Sequence, residues 1–210
     1  MSQIEGIPLL YQDDDIVVVN KPHYVLSVPG RTADKFDSVA TRLQKHWPYL
    51  RVVHRLDWAT SGVMVFAFHH ASQKVLNEQF AKRTTSKGYQ ALVYGKPTAS
   101  QGVVDMPLIC DWDKRPKQKV CWHSGKSAQT LWWQLGVENQ GAYTRLELAP
   151  FTGRSHQLRV HLQQLGHPIV GDKLYAKEPT EPRMMLHAHT LGVVHPITQQ
   201  LMSFHAPVPF

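Results

Sequence analysis

The stretch that decides the fold reads HRLDWATSG over residues 54–62 and continues into the apolar run VMVFA over residues 63–67. A short apolar run without alternation predicts a strand that is buried on both faces of a sheet. Asp57 stands just before this strand, between an arginine and a Thr-Ser-Gly turn. An ionised carboxylate is costly to bury without a partner, so its position there indicates a group kept for chemistry. Taken alone, however, an aspartate is more often a turn residue or a helix cap.

The segments on either side of this stretch predict more strands than helices. β-Branched runs, alternation and turn signals predict further strands at residues 16–19, 89–94, 129–137, 142–148, 184–194 and 201–204. Apolar positions at helical spacing predict helices at residues 38–47, 72–82 and 155–165. Because strands often follow one another without an intervening helix, we expect an α+β fold with a mixed, mostly antiparallel sheet flanked by helices. Residues 1–210 show no linker or repeat, which predicts a single domain.

The composition is compatible with a nucleic-acid partner. The 23 lysines and arginines outnumber the 16 acidic residues, which gives a formal net charge of +7. Charge alone leaves a basic protein without such a partner equally open. The two cysteines, Cys110 and Cys121, fit neither a metal knuckle nor a disulfide framework and favour a reducing compartment. With no signal-peptide pattern and no apolar run long enough to span a bilayer, we expect a cytoplasmic protein that does not enter membranes.

Three separate motifs resemble those of the RluA-type pseudouridine synthases, in the same order. Residues 54–62 match every fixed position of the family's HRLDxxTSG motif; residues 87–95, KGYQALVYG, resemble its KxYxAxVxG strand; residues 153–161, GRSHQLRVH, resemble GRxHQxRxH. The resemblance runs from about residue 16 to residue 204. It implies a single catalytic domain that isomerises uridine in RNA without a cofactor or a metal. No S4-type RNA-binding domain is expected, because the first catalytic strand begins near residue 16.

The resemblance also implies three catalytic residues. Asp57 matches the family's catalytic carboxylate, which could attack the sugar, deprotonate it or stabilise charge at C1′, and each route needs the ionised form. Arg154 matches the arginine that pairs with this aspartate, and a cation so close lowers an aspartate pKa by roughly 1–3 units. Arg154 is also predicted at a helix N-terminus, whose dipole favours an anion; a surface phosphate contact is its alternative role. Tyr89 matches the tyrosine that stacks on the uracil, and its hydroxyl could also take the C5 proton.

Further residues are assigned to substrate handling. Arg55 is implied to fill the gap that a flipped uridine leaves, with an ion pair to Asp57 or another carboxylate as its alternative. Leu186 resembles the leucine that walls the uracil pocket, and a plain core position is its alternative. Several cations are predicted to contact RNA phosphates, with solvated surface charge as the alternative: Lys114, Arg115, Lys117, Lys119 and Arg159.

Other conspicuous residues are interpreted as structural. His54 and the turn GDKLY at residues 171–175 are assigned to the framework of the fold. His187 and His189 share a strand face, but no HExxH motif or suitable ligand spacing accompanies them, so no metal site is predicted. Tyr24 stands where relatives often have glycine, which predicts a different backbone or pocket rim there. Lys21, three residues earlier, receives no role.

The choice of RNA rests on residues 107–112 and 115–121. They look closest to family members that modify both a 23S rRNA stem-loop and the tRNA anticodon stem-loop, so both RNAs are the expected targets of a monomer without an obligate protein partner. The alternatives are a synthase acting on tRNA only, a non-catalytic RNA-binding protein and, more distantly, a metal-dependent hydrolase. The presence of both Asp57 and Arg154 argues against a protein that has lost its activity.

Overall fold

The computed structural model describes residues 2–179 and 181–210. Their regular elements are, in chain order, β1 (Gln3–Ile4), β2 (Ile7–Gln12), β3 (Ile16–Lys21), α1 (Val39–Gln44), β4 (Arg51–Val52), β5 (Ser61–Ala67), α2 (His70–Lys82), β6 (Ser86–Tyr94), β7 (Gln101–Asp105), β8 (Leu108–Cys110), β9 (Gln118–Val120), β10 (Gln129–Glu138), β11 (Tyr143–Pro150), α3 (Gln157–Gln164), β12 (Leu186–Val194) and β13 (Leu201–His205). The chain forms two compact units: residues up to 87 together with residues 187–209, and residues 88–186 together with Phe210.

The first unit is built around β5. Its strand order is β1-β2-β3-β5-β12, with β4 paired to β5 and β13 paired to β12. β5 runs antiparallel to β3 and β4 but parallel to β12, so the sheet is mixed. All seven residues of β5 are buried, which confirms the predicted strand with two covered faces. The core of this unit joins side chains of β3, β5, α2, β12 and β13, among them Val18, Val65, Leu76, Val193 and Phe204.

The helices of the first unit begin near their predicted positions. α1 starts after Ser38, whose Oγ accepts a hydrogen bond from the Thr41 N–H at 3.1 Å. The Thr41 hydroxyl oxygen accepts the Ser38 N–H at 2.9 Å in return, which completes a capping box. α2 begins two residues earlier than predicted, at His70, and ends at Arg83 in the left-handed conformation.

The second unit is an antiparallel sheet in the order β6-β11-β10-β7, accompanied by the β8–β9 hairpin and α3. The predicted pairing of β10 with β11 is confirmed, with Trp132 opposite Leu148. Alternate residues of β11, such as Leu146 and Leu148, are fully buried. α3 contributes Val160 to a small core under the hairpin.

Together these elements confirm the predicted α+β class with a mixed, mostly antiparallel sheet. The sequence did not predict the short strands β1, β2, β4, β7, β8 and β9. It placed the start of α3 at residue 155, but the helix begins at Gln157, because His156 has a left-handed backbone with φ of 53°. Within the described part of the chain, α2 is the longest helix at 13 residues, and no helix combines the length and apolarity needed to cross a bilayer.

Candidate active site

The loop that carries Asp57 is fixed by hydrogen bonds within the first unit. The Thr60 N–H donates to the Asp57 carbonyl at 3.1 Å and forms the turn that leads into β5. One residue before Asp57, the Leu56 backbone is held by the buried Ser27 hydroxyl. This hydroxyl donates to the Leu56 carbonyl at 2.7 Å and accepts the Leu56 N–H at 3.0 Å. The half-buried Asp57 carboxylate is therefore attached to a backbone with little freedom.

Lys21 is the residue at this site that sequence reasoning left without a role. It lies at the end of β3 and is fully buried. Its Nζ donates to the carbonyls of Pro22, Val25 and Trp58 at 2.9, 2.6 and 3.3 Å. Burial lowers the pKa of Lys21 to about 7, and the negative charge of Asp57 opposes this shift. Lys21 thus ties the residue after Asp57 to the preceding loop and supplies a positive charge that favours an ionised Asp57.

Tyr24 keeps a backbone that suits glycine. Its φ of 59° lies in the left-handed region, and its N–H donates to the Trp58 carbonyl at 2.8 Å. The expectation of a different backbone here is therefore wrong, because this hydrogen bond holds the left-handed turn in place despite the side chain. The Tyr24 ring packs against Trp58 with 4.5 Å between centroids, so the rim beside Asp57 is aromatic.

The Thr-Ser-Gly part of the motif joins β5 to β12. The Ser61 hydroxyl lies 2.8 Å from His187 Nδ1, and His187 Nε2 lies 3.3 Å from the Ala206 carbonyl. Because a carbonyl only accepts, Nε2 carries the proton and the hydroxyl donates to Nδ1. Gly62 has φ of 124°, and a Cβ there would collide with the Ala188 carbonyl oxygen. Both ring nitrogens of His187 are thus engaged in the framework.

His54 supports the start of the motif, as interpreted from the sequence. Its Nε2 accepts the Val65 N–H at 3.1 Å, and its ring stacks on Phe80 with 4.6 Å between centroids. Burial lowers the pKa of His54 to about 3, so the ring is neutral at ordinary pH. The next residue, Arg55, is exposed.

The other residues assigned to the uracil site belong to the second unit. Tyr89 lies on β6, opposite Leu148 of β11, and is half-buried. Leu186 is buried at the start of β12. Arg154 lies in the turn before α3, where its Nε donates to the Ser127 carbonyl at 3.0 Å. Because Arg154 precedes the first helical residue by three positions, it does not lie at the helix N-terminus that we expected.

Gln157 is a second residue whose importance the sequence analysis missed. Its buried Oε1 accepts the Thr152 hydroxyl at 2.7 Å and the Arg154 N–H at 3.0 Å. Its Nε2 donates to the Gln129 carbonyl and the Thr130 hydroxyl oxygen at 2.9 and 3.0 Å. Gln157 therefore positions the backbone of Arg154 against β10. The signal was its fixed place in the motif at residues 153–161.

Arg159 does not have the exposure that a phosphate contact requires. It lies on α3 and is 5% exposed, with Nε and Nη2 at 2.8 and 2.7 Å from the two carboxylate oxygens of Asp172. Its guanidinium also lies 5.0 Å from the centre of the Tyr175 ring. The assignment of Arg159 to RNA binding is therefore wrong, because the side chain forms a buried bidentate ion pair. The interpretation of residues 171–175 as a structural turn agrees with this geometry.

Comparisons with known proteins agree with the site. The family model described as "RNA pseudouridylate synthase" matches residues 15–164. The chain belongs to the RNA pseudouridylate synthase family. It is 50% identical over 207 residues to the Dual-specificity RNA pseudouridine synthase RluA of Escherichia coli (strain K12), covering 96% of this chain and 93% of that protein. The RluA of Yersinia pestis is 48% identical over 205 residues, covering 96% and 99%. The solved structure of Human RNA Pseudouridylate Synthase Domain Containing 1 has a TM-score of 0.83 at 29% identity, covering 100% of this chain and 86% of that one.

As a pseudouridine synthase, the chain is an isomerase that acts on RNA. The basic hairpin, residues 108–120, carries the four remaining cations predicted to contact it: Lys114, Arg115, Lys117 and Lys119. Arg115 lies over the exposed Trp112 ring, 4.5 Å from its centre, so the hairpin offers a cation and an aromatic face together. Lys119 is paired with Asp111 at 3.0 Å, which reduces its charge toward a phosphate.

The synthase has one cluster among its described residues with the donor types of a metal site, formed by Asp13, Asp15 and His195. His195 Nε2 lies 2.9 Å from the Asp13 carboxylate, while Nδ1 accepts the N–H groups of Ile197 and Thr198 at 3.3 and 3.0 Å. Since both histidine nitrogens are engaged, the cluster is accounted for as a hydrogen-bonded support of the fold.

Proposed function

We propose that this pseudouridine synthase has dual specificity and acts on the tRNA anticodon stem-loop and on a 23S rRNA stem-loop. The curated relatives at about half identity carry the words dual-specificity in their names. The proposal extends to a cytoplasmic monomer that needs no obligate protein partner. A synthase acting on tRNA only is the alternative within the same chemistry.

We assign the chemistry to Asp57. During the reaction the N1–C1′ bond of uridine breaks, the base turns, C5 bonds to C1′ and the C5 proton is lost. An ionised carboxylate can serve this sequence by attack, by deprotonation or by stabilising charge at C1′. The single observation that carries the assignment is the buried Lys21, whose charge favours the Asp57 anion and whose Nζ fixes the next residue.

The other proposed roles follow from the family motifs. Tyr89 stacks on the uracil, Leu186 walls its pocket, and Arg154 pairs with Asp57. Arg55 fills the space that the flipped uridine leaves, and its exposure supports that role. The basic hairpin holds RNA phosphates, and the exposed Trp112 adds a face on which an unpaired base can stack.

Tritium release from C5-labelled uridine tests these proposals. Unmodified tRNA and 23S rRNA transcripts are incubated with wild type, Asp57→Asn and Asp34→Asn, a control that removes an exposed carboxylate of the same unit. We expect release from both RNAs by wild type and by the control, and none by Asp57→Asn despite intact RNA binding. Release from tRNA alone would leave the tRNA-only alternative, and residual release by Asp57→Asn would remove Asp57 from the chemistry. No release by wild type from either RNA, with binding intact, would favour the RNA-binding alternative.

A further inference from the structure

A pocket of about 400 Å³ lies in the first unit, at the end of β5 away from Asp57. Two short segments form it, the turn between α1 and β4 and the link between β5 and α2. Its lining residues are His46, Trp47, Pro48, Tyr49, Leu50, Arg51, Phe68, His69 and His70. We refer to these nine residues as the aromatic pocket.

The aromatic pocket is separate from the Asp57 loop. Asp57 precedes the first residue of β5, Ser61, whereas Phe68 follows its last residue, Ala67. Six steps along a strand at roughly 3.3 Å each place the two ends about 20 Å apart. A ligand in the aromatic pocket therefore cannot be the uridine whose bond is broken at Asp57.

One wall of the pocket is suited to stacking. The Trp47 and Phe68 rings meet edge to face, with 5.3 Å between centroids and 68° between planes. Tyr49 is 83% exposed on a turn that is closed by the Leu50 N–H donating to the Trp47 carbonyl at 2.9 Å. Gln44 Nε2 donates to the Leu50 carbonyl at 3.0 Å and fixes the same turn. An exposed aromatic ring on a fixed turn offers a stacking face at low entropic cost.

The opposite side of the pocket is suited to an anion. No aspartate or glutamate is among the nine lining residues. The Nε of Arg51 is buried and has no hydrogen-bond partner among the described residues. α2 begins at the pocket; its N-cap residue His69 makes no side-chain cap, and its first turn has no acidic residue. Helix N–H groups and an arginine together favour phosphate.

Glu5 is the carboxylate that comes near this surface, and its charge is already balanced. It lies 3.9 Å from His46 Nε2 but 2.8 Å from Lys45 Nζ. The pocket therefore combines an aromatic wall with a positive side.

We propose that the aromatic pocket binds one nucleotide of a single-stranded RNA segment, with its base on Tyr49 and its phosphate at Arg51 and the start of α2. The segment is unpaired because base-paired nucleotides cannot expose a ring face to a side chain. The proposal rests on RNA as the substrate of this chain and extends the contact with it beyond the target uridine. It requires no catalytic step.

The test measures binding of a 3′-fluorescein-labelled, 5′-phosphorylated hexa-adenylate by anisotropy over a range of salt concentrations. This probe contains no uridine, so its binding is independent of isomerisation and of the role of Asp57. The variants are Tyr49→Ala, Tyr49→Phe and Arg51→Gln. Lys74→Gln is the charge control, because it removes an exposed cation of α2 that does not line the pocket. Thermal unfolding checks that each variant is folded.

We expect Tyr49→Ala to weaken binding roughly 5- to 150-fold, the value of one stacked base. Tyr49→Phe keeps the ring and should bind as wild type. Arg51→Gln should lower the slope of log affinity against log salt by about 0.7, the value of one phosphate contact on a single strand. Lys74→Gln should retain the wild-type slope. Ultraviolet cross-links should map to the peptide of residues 46–51.

Two results would overturn the proposal. Wild-type affinity and salt slope in both Tyr49→Ala and Arg51→Gln would show that the strand binds elsewhere. AMP binding as tightly as hexa-adenylate, with the same dependence on Tyr49, would show a site for a free nucleotide and not for an RNA strand. Loss of tritium release in the catalytic assay has no bearing on either readout.

Discussion

Replacing Asp172 by asparagine should destabilise the second unit strongly. The Arg159 and Asp172 side chains are 6% and 0% exposed, and two hydrogen bonds of 2.8 and 2.7 Å join them. Asp172→Asn preserves the shape but leaves the arginine as a buried charge without its counterion. Breaking a buried pair in this way costs about 3–5 kcal/mol. For a chain of this length that corresponds to a fall in Tm of roughly 6–20 °C.

The assay is thermal unfolding followed by circular dichroism, with Asp111→Asn as the matched control. Asp111 also pairs with a cation, Lys119, at 3.0 Å, but the lysine side chain is 52% exposed. Surface pairs contribute at most about 1 kcal/mol, so the control should lose little stability. A Tm of Asp172→Asn equal to that of the control would refute the reasoning.

The same experiment separates the buried ion pair from the earlier assignment of Arg159 to RNA. If Arg159 contacted a phosphate, Arg159→Gln would reduce the salt slope of RNA binding by about 0.7–0.9 and leave Tm unchanged. The ion pair predicts the reverse, a large fall in Tm with the salt slope retained by the fraction that remains folded. RNA binding at a temperature well below both Tm values distinguishes the two.

Three further predictions concern the catalytic loop and its supports. Because the folded pKa of Lys21, about 7, lies below its ordinary value of 10.5, the unfolded chain binds more protons between these pH values and stability rises with pH there. From pH 7 to 9, urea unfolding should show wild type gaining about 2 kcal/mol more than Lys21→Met; equal gains would mean that Lys21 is not buried. Arg154→Lys should lower kcat for tritium release at least tenfold, since lysine lacks the Nε that donates to Ser127 and the planar fork; an unchanged kcat would exclude the proposed pairing with Asp57. Gly62→Ala should lower the free energy of unfolding by about 3 kcal/mol or more in urea titrations, because its φ of 124° and the Ala188 carbonyl leave no room for a Cβ; retained stability would contradict that geometry.

The sequence predicted the long elements well, because each has an internal pattern. β5 is a continuous apolar run, α2 and α3 have apolar residues at helical spacing, and β10 with β11 flank a turn. The strands that escaped prediction, such as β1 and β4, have two residues each and depend on their partners. A strand of that length carries no periodicity of its own, so only the tertiary structure defines it.

The site was predicted unevenly for a related reason. A motif names which residues are fixed but does not say whether a side chain faces substrate or the interior. Arg159 and Lys21 are both cations in or beside motifs, yet both are buried and hold the backbone or another side chain. Exposure, which decides between a phosphate contact and a framework ion pair, is a property of the packed chain.

The length of the motif at residues 54–62 has a physical explanation in these contacts. His54 holds the β5 backbone, and Ser61 donates to His187 of β12. Gly62 allows β12 to approach, and Leu56 is held on both sides of its peptide unit by Ser27.

Among the charged positions of this stretch, Arg55 is exposed and Asp57 is half-buried. These are the two residues that we propose act directly on the nucleotide. A reactive carboxylate must be placed to within a fraction of an ångström, and a loop alone cannot supply that accuracy. The surrounding motif residues supply it by fixing the backbone on both sides of Asp57. A substitution among them should therefore lower the rate of isomerisation without removing any group that touches RNA.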